Sequence, residues 1–257
     1  MCEKCGCSSR PPLPRAAVPH RHAHPGGAGH VHAGDPAAAP LAANERHAAE
    51  NRGFLRARGC FALNLRAFAS SRAAELVRRL EADHGAELGL RTIDAARLDA
   101  LGASHGHGDA PAAGDLGVPA MDAHMIGHAL DRLDWAGCRL VVIANAGSAV
   151  CQAVYDLGET ARATVFSVHE GERKPLKTPL IFENADLVLV NEIDDAAACG
   201  FDRAAALANI RQVAPTADVI ETAPATGAGL PALRDWLIRH SAPPDTRHPL
   251  PKQGASK

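Results

Sequence analysis

The feature that most constrains this chain is the alternation of short apolar runs with helical patterns from Gly59 onward. Strands spaced by helices are typical of βαβ units, which build a mostly parallel sheet with helices on both faces. The run Leu-Val-Val-Ile at 140–143 fits a central strand that is buried on both faces. We therefore predict an α/β fold. The predicted strands are 60–65, 87–93, 139–144, 164–168, 187–191 and 218–222, and the predicted helices are 44–58, 71–84, 94–101, 122–135, 202–213 and 230–240.

The first 43 residues differ in composition from the rest of the chain. They hold seven of the 18 prolines and neither an aromatic residue nor an isoleucine. Such a segment buries too little apolar surface to offset the entropy of ordering. We therefore predict a disordered arm over residues 1–43, a folded domain over residues 44–240 and a flexible tail over residues 241–257.

Charge and hydropathy exclude several classes of protein. The formal net charge is −2, which argues against a basic nucleic-acid binder. No apolar stretch approaches the roughly 18 residues of a membrane span, and the amino terminus has no signal-peptide pattern. We expect a soluble, cytoplasmic protein that binds neither nucleic acid nor membrane.

Three thiols cluster at the amino terminus, at Cys2, Cys5 and Cys7. Thiolates are soft ligands for nickel, copper(I) and zinc, and Gly6 permits the tight backbone path that brings two of them to one ion. With the amino group of Met1 as a fourth donor, three sulfurs and one nitrogen in a plane favour nickel(II) over tetrahedral zinc(II). Zinc remains the alternative ion, and free thiols on a frayed terminus are the alternative without a metal.

A histidine-rich stretch follows within the same arm. Alternating imidazoles in a Gly/Pro-rich chain offer several weak, exchanging metal sites, which suit storage of an ion better than tight capture. The alternative is a solvated low-complexity linker. The histidines of this arm are His20, His22, His24, His30 and His32.

These residues, together with several internal motifs, resemble the HypB family of hydrogenase nickel-incorporation GTPases. The resemblance implies a SIMIBI-type P-loop NTPase fold, GTP and Mg²⁺ binding, and dimerisation. It also implies delivery of nickel, with a HypA-like protein, to the large-subunit precursor of [NiFe]-hydrogenase. The matching motifs are Cys-x-x-Cys-x-Cys at 2–7, Asn-Arg-Gly-Phe-Leu-x-x-Arg-Gly at 51–59, Cys151, Asp-Leu-Gly-Glu at 156–159, and Glu-Gly-Glu-x-Lys-Pro-Leu-Lys at 170–177.

The phosphate-binding loop departs from the family. Such a loop needs glycines for a backbone cradle, a lysine for the β/γ-phosphates and a Ser/Thr for Mg²⁺. The corresponding segment, residues 64–75, lies in a stretch without glycine from Cys60 to His84, and no lysine occurs between residues 5 and 173. Ala144 stands where the family has a glutamate, although Gly147 is retained. We predict no catalytic residue and a pseudo-GTPase, since phosphoryl transfer depends on these groups.

The guanine-recognition end is better preserved. Asn191 and Asp194 match the Asn-Lys-x-Asp motif of the family, whereas Glu192 replaces its lysine. The resemblance makes Asn191, Asp194 and Gly147 vestigial nucleotide-binding residues. A relic element of the fold is the alternative interpretation.

The second metal site of the family, a Cys-His pair before a helix, falls on Pro119 and Ala120 and is predicted to be lost. His124 and His128 lie one turn apart on the following predicted helix, where two imidazoles can share an ion. A solvated polar face is the alternative. The resemblance also assigns Cys151 to this metal site, and three further cysteines are interpreted as core or incidental. These are Cys60, Cys138 and Cys199.

The sequence leaves three hypotheses for the function. The first is a nickel metallochaperone or store whose GTPase machinery has decayed. The second is an active GTPase that drives nickel insertion through an irregular phosphate site. The third is a non-catalytic subunit that pairs with an intact paralogue, as a heterodimer instead of a homodimer.

Overall fold

The computed structural model describes residues 38–102, 121–146 and 149–241, and in addition residues 20–21 and 31–32. The chain divides into two units, Met1–Ala43 and Asn44–Lys257. In the first unit, β1 (His20–Arg21) pairs with β2 (Val31–His32) in an antiparallel ladder that sets His20 opposite His32. The predicted disordered arm and flexible tail stay predictions.

The second unit is built on one six-stranded, fully parallel sheet. The strand order is β4-β5-β3-β6-β7-β8, so the chain winds first to one side of β3 and then to the other. This arrangement confirms the predicted α/β fold. The strands are β3 (Phe61–Ala67), β4 (Leu90–Ile93), β5 (Leu140–Ala146), β6 (Ala161–Ser167), β7 (Leu187–Asn191) and β8 (Asp218–Thr222).

Helices connect the strands, and aspartates begin three of them. Asp94, Asp122 and Asp202 each accept a hydrogen bond from the backbone N–H three residues later, which satisfies a donor that the first helical turn leaves unpaired. No described helix is both long and apolar enough to cross a bilayer. The helices are α1 (Ala38–Ala57), α2 (Ala73–Leu88), α3 (Ala95–Ala100), α4 (Ala123–Arg132), α5 (Ala149–Val154), α6 (Lys174–Lys177), α7 (Pro179–Phe182), α8 (Arg203–Val213) and α9 (Leu230–Ser241).

Both faces of the sheet are covered by apolar side chains. On one face, α2 and α9 contribute Leu76, Leu80 and Trp236 to a single cluster. The opposite face carries two separate clusters, one that includes Ile126 of α4 and one that includes Ile210 of α8. These contacts confirm the predicted layers of helix, sheet and helix.

Several helix boundaries differ from the predicted ones. Helix α2 continues to Leu88, and Gly89 ends it in the left-handed conformation while its N–H bonds back to Ala86, so residues 87–88 are helical instead of the start of a strand. Helix α1 begins at Ala38, inside the segment predicted to be disordered. Helix α4 ends at Arg132, before the predicted end at residue 135, because the backbone becomes extended at Leu133.

Candidate functional site

The candidate site is the carboxyl edge of the sheet beside β3, where the order of the strands reverses. In open α/β sheets, ligands bind at this edge and at this switch point. The segment from Phe68 to Arg72 joins the end of β3 to α2 and lies within residues 64–75, where the resemblance places the phosphate-binding loop. Its conformation therefore decides whether the site fits a phosphate chain.

The segment folds as a closed turn. Residues Ala69–Ser71 form one turn of 3-10 helix, and the Ser71 N–H donates to the Phe68 carbonyl at 2.9 Å. The Ser71 hydroxyl donates to the same carbonyl at 2.7 Å, and the side chain is fully buried. A phosphate cradle instead aims successive N–H groups and a hydroxyl outward at the anion. The amide and hydroxyl of Ser71 are thus committed to the turn itself.

Arg72 supplies a cation to this segment, but two carboxylates hold it. Its guanidinium lies 2.7 Å from Glu75 Oε2 and 3.3 Å from Glu192 Oε1. Glu75 first and Glu192 second raise the pKa of Arg72 above its usual value. A triphosphate would bring negative charge beside both carboxylates, which is unfavourable. The residues of this turn therefore do not fit a triphosphate.

Asn191 holds the closed turn against the sheet. Its Nδ2 donates to the Ser71 carbonyl at 2.8 Å, and its Oδ1 accepts from the Thr222 hydroxyl at 2.8 Å. All three side chains are buried. Asp194, by contrast, is exposed in the 3-10 turn Ile193–Asp195. Asn191 therefore joins the ends of β7 and β8 to the turn after β3.

Glu192 has a buried position that the sequence did not reveal. It adopts the left-handed conformation with φ 61°, and its Oε2 accepts from the Ser167 hydroxyl at 2.5 Å. With Arg72 on its other oxygen, this carboxylate bridges the end of β6 and the start of α2. Its pairing partner lies 120 positions earlier in the chain, so a local pattern could not have predicted it.

Two of the motifs that carry the resemblance to the HypB family are structural in this fold. Asn51 Nδ2 donates to the Leu157 carbonyl at 3.0 Å, and Arg52 lies 2.6 Å from Asp156. Gly158 has φ +89°, and a Cβ there would lie 2.6 Å from both the Ala48 carbonyl and Asn51 Cβ. The two motifs thus dock α1 against the turn that precedes β6.

His124 and His128 of α4 are neighbours, with their Nε2 atoms 3.1 Å apart. His124 is buried and its ring lies 5.0 Å from that of His47 on α1, so it does not belong to a solvated face. Burial and, secondarily, Arg132 lower the pKa of His128. A neutral imidazole is the form that binds a metal. The geometry is compatible with the predicted shared ion, which stays a prediction.

Only some of the other predicted site residues lie in the described part of the chain. Cys151 lies on α5, and the neighbouring Gln152 clamps Ala67, accepting from its N–H at 2.9 Å and donating to its carbonyl at 3.1 Å. His20 and His32 are paired through their backbones, as given above. The predicted residues outside the described part of the chain are Cys2, Cys5, Cys7, His22, His24, His30 and Gly147.

Two of the cysteines interpreted as core or incidental form a pair. The sulfurs of Cys60 and Cys138 lie 4.0 Å apart, with Cys60 buried and Cys138 half-buried. The hydrogen bond from the Cys60 thiol lowers the pKa of Cys138 to about 7, and Arg91 adds to the effect. Cys199 is exposed. Neighbouring parallel strands bring Cys60 and Cys138 together from distant parts of the sequence, which explains why sequence reasoning missed the pair.

The chain is similar to known maturation factors. No protein-family model matches it. It is 37% identical over 209 residues to the hydrogenase maturation factor HypB of Azotobacter vinelandii, covering 77% of this chain and 67% of that protein. It is 34% identical over 210 residues to HypB of Rhizobium leguminosarum, with the same two shares. The chain thus spans about two thirds of the length of these curated relatives.

Two solved structures share the fold. The crystal structure of HypB from Archaeoglobus fulgidus matches with a TM-score of 0.64 and 33% identity, covering 77% of this chain and 98% of that one. HypB from Helicobacter pylori, solved in complex with nickel, matches with a TM-score of 0.65 and 23% identity, covering 77% of this chain and 95% of that one, which shows the fold alone. The HypB proteins of Azotobacter vinelandii, Rhizobium leguminosarum and Archaeoglobus fulgidus are each at least 33% identical to this chain, which covers at least 67% of their length. The chain therefore belongs to the HypB family of hydrogenase maturation factors.

Proposed function

We propose that this chain is a nickel-binding metallochaperone or store for hydrogenase maturation that has lost GTP hydrolysis. The observation that carries the proposal is the closed turn Phe68–Arg72, in which Ser71 bonds to Phe68 and Arg72 is held by two carboxylates. If a chain of this family no longer binds a triphosphate, binding and delivery of the metal remain as its contribution to maturation.

Nickel is the cargo of this proposal. Cys2, Cys5 and Cys7 supply three soft donors within six residues, and the histidines of residues 20–32 supply exchanging imidazoles beside them. HypB from Helicobacter pylori has been solved with nickel, which supports a nickel-handling role for this fold. Zinc(II) is the competing ion, because thiolates and imidazoles also bind zinc.

Membership of the family supports the partners that we propose. We propose that the folded domain docks a HypA-like protein and the large-subunit precursor of [NiFe]-hydrogenase. We also propose that it pairs with a second copy or with an intact paralogue. Val154 of α5 and Leu180 of α7 are each about half exposed, and their two helices contact each other, which supports a docking role for this surface. Co-purification with the paralogue, followed by mass determination, distinguishes a heterodimer from a homodimer.

Calorimetry with nickel(II) and with GDP on one preparation of the full chain tests the proposal. We expect tight nickel binding, loss of that binding in the triple variant Cys2→Ala, Cys5→Ala, Cys7→Ala, and no heat from GDP. Cys199→Ala is the matched control, because it removes an exposed thiol outside the arm. Undiminished tight nickel binding in the triple variant would contradict the thiol site.

A hydrolysis assay separates the nickel proposal from the active-GTPase hypothesis. We expect no GTP turnover above a mock preparation, because the positioning and electrostatic groups for phosphoryl transfer are missing. GTP turnover that purifies with the chain, together with GDP binding, would refute the proposed loss of GTP hydrolysis.

A further inference from the structure

Three metal-ligating side chains converge at the carboxyl edge of the sheet, beyond β6 and β7. They are His169, Glu192 and Asp195. Among the described residues they form the one group of three or more such side chains whose ligand atoms all lie within 4.8 Å of one another. We propose that these residues bind a divalent first-row transition ion through one nitrogen and two carboxylate oxygens. The site is independent of the thiols of the arm and of the proposed nickel cargo.

Local structure fixes two of these ligands on two short turns. Ser167 caps the 3-10 turn Val168–Glu170 by accepting from the His169 N–H at 3.1 Å, while Glu170 Oε2 accepts from the Ser167 N–H at 2.9 Å. Strands β6 and β7 run parallel with Ser167 opposite Asn191. The turn after β6 therefore lies beside the turn Ile193–Asp195 after β7, and His169 meets Asp195 across them.

The distance between two of the three ligand atoms is that of a coordination shell. His169 Nε2 lies 3.0 Å from Asp195 Oδ2. Two ligands that each bind one ion at about 2.1 Å lie about 3.0–3.4 Å apart at octahedral or tetrahedral angles. All three ligand atoms lie within 4.8 Å of one another, so the exposed side chains of His169 and Asp195 would have to close toward the buried Glu192 to share one ion with it. An ordinary surface ion pair would show the same 3.0 Å contact, but it would not place a third metal-binding group, Glu192, beside the two residues.

Burial makes Glu192 the anchor of this site. Its side chain is 9% exposed, the Ser167 hydroxyl holds one of its oxygens in place, and Arg72 pairs with the other oxygen, where it competes with a cation. The side chains of His169 and Asp195 are about half exposed, which gives an ion and its remaining waters access from solvent. Hydrogen-bonded carboxylate ligands are typical of metal sites, because the outer partners orient the ligands.

The ligand set selects a class of ion different from that of the arm. One imidazole and two carboxylates suit Mn²⁺, Co²⁺, Ni²⁺ and Zn²⁺, whereas the soft thiolates of the arm bind Mn²⁺ weakly. Mn²⁺ is therefore the probe that reports this site in the full chain. Glu192 replaces the lysine of the guanine motif, so the residue that departs from the family is the one that contributes the buried carboxylate.

Titration of the full chain with Mn²⁺ tests the proposal, with the signal of free Mn²⁺ followed by electron paramagnetic resonance. We expect one Mn²⁺ site whose affinity falls at least about tenfold in His169→Ala and in Asp195→Asn. His84→Ala is the control, because His84 also lies near a carboxylate, 3.6 Å from Glu87, but has no third ligand. Affinity that is unchanged in both ligand variants, or the absence of saturable binding in the parent chain, would overturn the site.

A fourth variant tests the geometry without removing a ligand. Arg72 occupies one oxygen of Glu192 and repels a cation, so Arg72→Gln is expected to tighten Mn²⁺ binding about two- to fivefold. Equal or weaker binding in this variant would contradict the role of Glu192. Cys2→Ala, Cys5→Ala, Cys7→Ala should keep the Mn²⁺ site, so failure of this proposal and failure of the nickel proposal give different results.

Discussion

Arg66 provides the sharpest test of how this fold tolerates charge in its interior. It lies on β3, and its side chain is almost completely buried. Within the described part of the chain, its guanidinium donates one hydrogen bond, from Nη2 to the Thr164 hydroxyl at 3.1 Å. Among the described residues, none accepts from its Nε. Buried charges with incomplete hydrogen bonding destabilise the folded state. We therefore predict that Arg66→Met stabilises the protein.

The magnitude follows from the pKa of Arg66. Burial first, and the neighbouring Arg162 second, lower this pKa from its usual value to about 10. The usual value is about 12.5, and each pKa unit corresponds to about 1.36 kcal/mol, so keeping the charge in the folded state costs about 3 kcal/mol. Imperfect packing of the methionine offsets about 1 kcal/mol of this gain. The free energy of unfolding should therefore rise by about 2 kcal/mol.

Urea and thermal unfolding in metal-free buffer measure this change. For a domain of this size, 2 kcal/mol corresponds to a rise in Tm of about 4–8 °C. Arg162→Met is the matched control, because we expect it to lower the free energy of unfolding. Arg162 pairs with the buried carboxylate of Glu159 at 2.5 Å, and removing it leaves that charge without its partner, at a cost of about 2–3 kcal/mol.

The stabilities of two Arg66 variants decide whether the buried charge is responsible for the effect. If Arg66→Met lowers the free energy of unfolding by about 1 kcal/mol or more, which is the scale of one hydrogen bond, the guanidinium must be better solvated than its surroundings indicate. Arg66→Lys separates charge from volume, because it keeps a cation and should gain no stability. A gain in Arg66→Lys equal to that in Arg66→Met would assign the effect to shape instead of charge.

Three further predictions concern the hydrogen bonds, thiols and turns. Asn191→Ala removes two buried hydrogen bonds and should lower the free energy of unfolding by about 2–3 kcal/mol in urea titrations. Alkylation of Cys138 should rise with pH through a midpoint near 7, and Cys60→Ala should move that midpoint upward; an unmoved midpoint would exclude the thiol hydrogen bond. Gly158→Ala should lower Tm far more than Gly200→Ala, since only the first would place a Cβ against backbone, and equal shifts would contradict the close contact.

The sequence predicted the sheet well because each strand carries a local signal. The runs at Leu187–Asn191 and Asp218–Thr222 match the predicted ranges, and the other strands differ by one to three residues at most of their ends. Short elements such as α6 (Lys174–Lys177) and α7 (Pro179–Phe182) were not predicted. Four residues give barely one helical turn, which is too short for an apolar periodicity to appear.

The candidate site was predictable where it depends on residue type and unpredictable where it depends on pairing. The lack of glycine and lysine in residues 64–75 predicted that this segment forms no phosphate cradle. The structure has a closed 3-10 turn there instead. The contacts of Glu192 with Ser167 and Arg72 join residues 25 and 120 positions apart. Such contacts arise from the winding of parallel strands, which no local pattern encodes.

The turn after β3 explains how the fold can persist without the glycine and lysine of a phosphate-binding loop. Arg72 keeps a left-handed backbone, φ 52°, directly before α2, at a cost of about 1–2 kcal/mol for a residue with a Cβ. The strand and helix must still be joined at that angle, because β3 and α2 both pack into the same apolar cluster. Asn191, which holds Ser71, and Glu192, which holds Arg72, stabilise this path. The backbone course of the turn is therefore maintained by packing and by these two side chains, neither of which depends on the glycine and lysine of a phosphate-binding loop.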